Sequence, residues 1–242
     1  MKNYLVKSLF KVVDPNWSPE INRAGETNVY ENYFKMHELS VRSHERCLRG
    51  DWELVFFGGE TENIHEALKE TFYKVYDLWK SEPCNILYTD PDVLMVDEVD
   101  FFGQFAEFRM FNLTDPRSFS QPNIYNRGYP NFLNAGVRYF PATMKQQVWD
   151  IGLSMARQWD LTDWDTEQII LNEMAWSQGL TPDQMIIPEL AYQAFMIPDH
   201  AEYADTWNGC KFEDAKVIHW HSSRNAANRL QIMQQVADQV GI

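Results

Sequence analysis

The chain has 242 residues, 45% of them hydrophobic, and a formal net charge of −14. That is enough apolar material for a full core and excludes an intrinsically disordered chain. With 35 acids against 21 bases, it shows no basic stripe for nucleic acid and disfavours anionic membrane surfaces, and a phosphate-bearing substrate would need a local cation.

No stretch approaches the roughly 20 apolar residues of a membrane helix. The first 13 residues alternate lysines with apolar side chains and lack the apolar run of a signal peptide. Cys47, Cys84 and Cys210 are widely spaced and odd in number, which suggests neither a disulfide framework nor a zinc knuckle. The expected setting is the reducing cytoplasm.

Residues 4–13 are predicted as a strand that runs into a Pro/Asn/Ser loop over 14–28. Residues 29–48 have helical spacing (Val29, Tyr33, Met36), closed by Gly50. A short strand over 53–57 is expected to stop at Gly58-Gly59. Residues 63–80 form an amphipathic helix with Leu68, Phe72, Val75 and Leu78 on one side. Strands follow at 85–89 and 93–96, separated by Asp90-Pro91-Asp92. This alternation predicts an α/β fold with a mostly parallel sheet and helices on its faces. Ligands in such sheets gather at the carboxyl ends of strands, where Asp90-Pro91-Asp92 would lie.

The second half is less regular. Strands are predicted at 107–111, 136–140 and 216–220, and short ones within 185–196, broken by Pro188. Helices are predicted at 142–159, at 166–178 with Asp163 or Asp165 as cap, and at 225–240. Residues 112–130, rich in Asn, Pro, Arg and Tyr, read as a long loop of the kind that often carries function. No internal repeat interrupts the pattern, and one domain is expected.

Four short motifs could carry chemistry. Asp90 and Asp92 can point into one cleft, their spacing stiffened by Pro91. Their oxygens suit Mg²⁺ or Mn²⁺, which would neutralise a diphosphate leaving group; an ordinary acidic turn is the alternative. His219 and His221 lie two apart on a strand and share a face, so either could be a metal ligand or a hydrogen-bonded structural histidine. Asn134-Ala135-Gly136 opens a strand with small residues that let a ligand approach the backbone, or simply turns into it. Asp165, Glu167 and Gln168 stand at a helix start, where acids are favoured by the macrodipole with or without a sugar to bind. Trp164, Trp207 and Trp220 could stack on an acceptor sugar, although most large aromatics fill cores.

The order of these motifs resembles GT-A glycosyltransferases, in particular the glycogenin and galactosyltransferase-like family 8. There an apolar strand ends in Asp-x-Asp, as in Leu87-Tyr88-Thr89-Asp90-Pro91-Asp92. An Asn-Ser/Ala-Gly motif then opens a strand, as in Asn134-Ala135-Gly136, and a helix begins Asp-Gln-Asp-x-Leu-Asn, as in Glu167-Gln168-Ile169-Ile170-Leu171-Asn172. A late Ile-His-aromatic motif matches Ile218-His219-Trp220. The resemblance implies a GT-A-like fold with Asp90, Asp92 and His219 as ligands of Mn²⁺ (or Mg²⁺). It places Asn134, Ala135 and Gly136 against the donor sugar, and Glu167 and Gln168 along the sugar and acceptor pocket; Asp165, from the same helix start, is the other candidate sugar-binding carboxylate. Two departures make the chain divergent: Ile169 replaces the second acid, and Ser222-Ser223-Arg224 stands where the family continues with Gly and Lys-Pro-Trp. Arg224 would then supply the cation for the diphosphate.

The implied activity is transfer of a sugar from a nucleotide-sugar, UDP-sugar by resemblance, to a carbohydrate or glycoconjugate acceptor. The nucleotide-binding half would span about residues 1–96 and the sugar and acceptor half about 97–242. A sugar-1-phosphate nucleotidyltransferase is the first alternative; the scarcity of glycine before Gly50 argues against its phosphate loop. A non-catalytic carbohydrate-binding protein is the second.

Overall fold

A computed structural model describes residues 1–13, 28–112, 133–162, 166–185, 187, 191–195, 215–221 and 226–242. The first strand, β1 (Lys2–Val12), has six successive buried residues, from Tyr4 to Leu9. Burial on both faces is what a central strand of a covered sheet requires. Helix α1 (Val29–Cys47) and strand β2 (Glu53–Thr61) follow, with β2 parallel to β1. Helix α2 (Ile64–Ser81) then leads to β3 (Cys84–Thr89), parallel to β1 on its other side. Asn63 caps α2, its side-chain oxygen accepting from the backbone of His65 at 2.8 Å.

The remaining elements are β4 (Val93–Met95), the one-turn α3 (Phe101–Gln104), β5 (Arg109–Asn112) and β6 (Leu133–Phe140). After them come α4 (Gln146–Ala156), α5 (Thr166–Trp176), the short α6 (Pro182–Met185), β7 (Ala191–Phe195), β8 (Val217–His221) and α7 (Ala226–Val240). The main sheet has the order β2-β1-β3-β6-β5. Because β6 is antiparallel to both β3 and β5, it alone runs against the other four strands. A second, three-stranded sheet has the order β4-β8-β7.

Alternation along the strands divides the core. Tyr4, Val6, Ile86 and Tyr88 pack with Phe72, Trp149 and Met174 of α2, α4 and α5. Leu5, Leu87, Val137 and Tyr139 face the opposite way, onto Val93, Phe101 and Val217. A third cluster joins α1 to α7 through Met36, Leu39, Met233 and Val236.

Several boundaries differ from the sequence expectation, and three of them bear on the site or the sheet. β2 does not stop at Gly58-Gly59 but pairs on to Thr61. A side chain at Gly58 would come within 2.8 Å of the Leu9 carbonyl, so glycine permits this pairing instead of ending it. β6 begins at Leu133, which puts Asn134-Ala135-Gly136 inside the strand. Leu133 and Asn134 pair with Asn112 and Phe111 of β5, and the Asn172 side chain accepts from Leu133 N and donates to Leu133 O, both at 2.8 Å. α4 starts at Gln146 because residues 142–143 form a turn anchored by Asn85, whose side-chain oxygen accepts from Ala142 N at 2.9 Å. Residues 113–132, most of the predicted long loop, lie outside the described residues. Among the described residues no helix is long and apolar enough to cross a membrane.

Candidate metal centre

The chain leaves β3 at Thr89, and Asp90 begins the turn at its carboxyl end. The Asp90 amide donates to the Gly136 carbonyl at 2.8 Å, extending the β3–β6 pairing by one residue. Beyond the turn, Val93 of β4 stands opposite His219 of β8. The Trp220 amide donates to the Asp92 carbonyl at 3.1 Å. A strand more than a hundred positions away is thereby registered so that His219 faces both acids.

His219 Nε2 is 3.5 Å from Asp92 Oδ1 and 3.9 Å from Asp90 Oδ2. One ligand atom from each of the three residues falls within 4.8 Å of the others, so Asp90, Asp92 and His219 form a group that can hold a metal ion. Ligands about 2.1 Å from one cation stand roughly 3–4 Å apart, so only small movements are needed to close on it. Two carboxylates and one imidazole suit Mn²⁺ and Mg²⁺, the nitrogen favouring Mn²⁺ over Ca²⁺. Both histidines of the pair belong to β8, and it is His219 that joins the acids.

Gly136 has a clear steric purpose. A Cβ there would lie 2.5 Å from His219 Nε2 and 2.7 Å from Nδ1, overlapping the ring. The small residue read as room for a ligand is, in the fold, room for the imidazole. Gly136→Ala is therefore expected to displace His219 and to cost about 1–3 kcal/mol, the usual range for overpacking. Thermal unfolding checks this; an unchanged melting temperature would mean that the ring moves aside freely.

The carboxylates are electrostatically unlike. Burial disfavours the charge on Asp92, but Arg229 and His219 outweigh it and hold this carboxyl well below its usual range. Burial and the Asp92 charge push the Asp90 carboxyl above the usual carboxylate range, tempered by the 37% of its side chain that stays open to solvent. Behind the turn, the fully buried Lys7 donates to Ser40 Oγ at 2.6 Å and to the Asp90 carbonyl at 3.2 Å. Burial lowers its pKa to about 7 against the opposing pull of Asp90 and Asp92.

The other predicted residues form an adjoining network. Gln168 Oε1 accepts from Ala135 N at 3.1 Å and Asn134 Nδ2 at 3.3 Å, and Asn134 Oδ1 accepts from Gly136 N at 2.8 Å. Glu167 Oε1 accepts from Arg138 Nη1 at 2.6 Å. The Arg138 guanidinium also covers the Tyr88 ring, 3.8 Å from its centroid. Asp165 and Arg224 lie outside the described residues, as do Trp164 and Trp207. Trp220, a candidate for sugar stacking, is 1% exposed and belongs to the core.

Sequence reasoning missed Lys7, Arg138 and Arg229. Lys7 stands inside the apolar run Leu5-Val6-Lys7-Ser8-Leu9, a charge in a central strand. Arg229 shares helical spacing with Ala226, Met233 and Val236, the buried stripe of α7. Both signals were in the sequence.

Comparison with solved structures gives the fold its context. The galactosyltransferase LgtC, bound to donor and acceptor sugar analogues, superposes with a TM-score of 0.52 at 13% identity, over 98% of this chain and 95% of that one. The bifunctional glycosyltransferase WbbM gives 0.54 at 10% identity, over 98% of this chain and 51% of that one. The chain has the GT-A fold of glycosyltransferases. No protein-family model and no curated protein matches it at sequence level. In this GT-A fold the metal-capable group stands at the carboxyl end of a central strand, and the Glu167–Arg138 pair lies beside it.

Proposed function

We propose that this GT-A protein is a metal-dependent glycosyltransferase. It would move a sugar from a nucleotide-sugar, most simply a UDP-sugar, to a carbohydrate or glycoconjugate acceptor. The observation that carries this reading is the convergence of Asp90, Asp92 and His219 at the end of β3. Galactosyl and other glycosyl transfer by the similar folds supports it.

Asp90, Asp92 and His219 would hold Mn²⁺ or Mg²⁺. When bound, such an ion neutralises a diphosphate and stabilises it as a leaving group, which a chain of net charge −14 requires. Residues 1–96 would supply most of the nucleotide side and 97–242 the sugar and acceptor side. Asn134 and Ala135 would shape the donor side of the cleft, with Gly136 keeping His219 in place. Gln168 and Glu167 would orient sugar hydroxyls, fixed by the network that ties them to β6. Arg224 would face the diphosphate and Asp165 the sugar. The buried free thiols of Cys47 and Cys84 fit a reducing compartment, and we assign the protein to the cytoplasm.

The test combines thermal shift with nucleoside-diphosphate release. A donor that binds the folded state raises its melting temperature by mass action. A UDP-sugar should do so only with Mn²⁺ or Mg²⁺, and chelation should abolish release of UDP. Burial and the Asp92 charge raise the Asp90 pKa above the usual carboxylate range, so a proton must leave before the ion binds at the lower end of the pH range. Metal affinity should therefore fall as pH is lowered through that raised pKa, approaching about tenfold per unit below it. Donor turnover that survives chelation, or no response to any nucleotide-sugar, would overturn the reading.

A further inference from the structure

The two oxygens of Asp92 have different neighbours. Oδ1 lies 3.5 Å from His219 Nε2, on the side of the metal-capable group. Oδ2 accepts a hydrogen bond from Arg229 Nη1, and the two side chains of this ion pair are each 8% exposed. Arg229 is itself anchored. Its Nη1 is 3.3 Å from the Tyr33 hydroxyl, and its guanidinium is 5.6 Å from the centre of the Tyr33 ring. Tyr33 belongs to α1 and Arg229 to α7, and these helices are joined by the cluster containing Met36, Leu39, Met233 and Val236. The Asp92 main chain is held as well, through its carbonyl and the Trp220 amide. The carboxylate is thus fixed from both ends, with a buried cation on one oxygen.

We infer that Arg229 is a positioning residue that makes Asp92 a one-oxygen ligand and so sets the metal preference of the site. The inference rests on the divalent-metal reading of the same group. Ca²⁺ takes roughly 6–8 oxygens at about 2.3–2.6 Å and commonly gathers them from bidentate carboxylates. Mg²⁺ and similarly small cations take octahedral sets at about 2.0–2.1 Å and need only one oxygen from each acid. An Asp92 whose Oδ2 accepts from the buried Arg229 cation is disfavoured as a two-oxygen chelator, because a metal ion on Oδ2 would face that positive charge. The site is therefore short of oxygens for Ca²⁺ and sufficient for Mn²⁺, whose remaining positions water and a donor diphosphate would fill. A guanidinium suits this role because one nitrogen, Nη1, carries two hydrogens and can donate to the carboxylate and to the Tyr33 hydroxyl together.

A different role makes a different prediction. Were Arg229 only a stand-in cation that any metal displaces, its removal would strengthen Mn²⁺ and Ca²⁺ binding alike. Were it only a structural ion pair, stability would fall with the preference intact. The ratio of the two affinities separates these cases.

The experiment titrates the full chain with MnCl₂ and with CaCl₂ by calorimetry, for the wild type, Arg229→Gln, Arg229→Lys and Tyr33→Phe, with thermal melts to verify folding. The Mn²⁺-over-Ca²⁺ preference should fall about tenfold or more in Arg229→Gln, the scale seen when partners of metal ligands are removed. Arg229→Lys, which keeps a cation on Oδ2, should hold the wild-type ratio. An unchanged ratio in folded Arg229→Gln overturns the inference. Should that variant not fold, Tyr33→Phe decides, because it frees the guanidinium from its hydroxyl anchor. A lowered ratio there supports the role, and an unchanged one overturns it. Failure of the wild type to bind Mn²⁺ at all overturns the metal reading, and this inference with it, before any substitution is considered.

Discussion

Asp90→Asn and Asp92→Asn are expected to part company. Both should suppress metal-dependent turnover by about 100-fold or more, the scale of losing one group that stabilises developing charge. Only Asp92→Asn should weaken the fold. Asp92 and Arg229 are each 8% exposed, so removing the carboxylate charge takes from a buried guanidinium the ion pair it makes with Asp92. Breaking a buried pair from one side costs about 3–5 kcal/mol. For a chain of this size that is a fall in melting temperature of roughly 6–20 °C. The Asp90 side chain, by contrast, is 37% exposed. Its amide and carbonyl, which bind Gly136 and Lys7, are untouched by the substitution. Asp90→Asn should melt within a degree or two of the wild type while losing Mn²⁺ binding. Equal destabilisation by the two variants, seen in parallel thermal melts, would show that Asp92 is no more structural than Asp90. The two acids look equivalent in the sequence; α7 makes them different.

Glu167 carries the second large effect. By sequence it is a helix-start acid whose conversion to Gln should spare stability and lower kcat. The fold gives it a partner, Arg138, with side chains 13% and 3% exposed respectively. Burial opposes the Arg138 charge, but Glu167, Tyr88 and Asp90 sustain it. Glu167→Gln should therefore cost about 3–5 kcal/mol in addition to any effect on turnover. The double variant Arg138→Met/Glu167→Met distinguishes support from catalysis. Replacing both members of a buried pair by apolar side chains is often neutral or stabilising, so the melting temperature should recover most of the loss. If Glu167 orients the donor sugar, turnover should stay lowered about 100-fold or more in the restabilised protein. Recovery of activity along with stability would reduce Glu167 to the counter-ion of Arg138. A double-mutant cycle gives the coupling directly, since the two residues touch.

Much of the first half of the fold was legible because its signals are local. Apolar runs bounded by turn residues mark β1, β3 and β4, and the period of Leu68, Phe72 and Val75 marks α2. Asp90-Pro91-Asp92 could be placed at a strand end because the apolar run Ile86-Leu87-Tyr88 comes just before it. Boundaries in the second half were less legible because partners distant in sequence set them. Leu133 and Asn134 join β6 by pairing with β5, and β2 continues through Gly58 where the Leu9 carbonyl of β1 leaves no room for a side chain.

The sequence by itself therefore determined the α/β class, the acidic turn and the candidacy of His219, since each depends on periodicity or on residue type over a few neighbours. Only the tertiary structure decided that His219 meets those acids, because the register of β8 on β4 is a pairing between segments 122 to 126 positions apart in the chain. Only it decided that Gly136 makes room for that imidazole, and that Arg229 and Arg138 take one oxygen each of Asp92 and Glu167. The physical reason is the same in each case. A buried charge must find a counter-charge, and a ring must find space, wherever folding brings them together, and no local pattern in the chain encodes that distance.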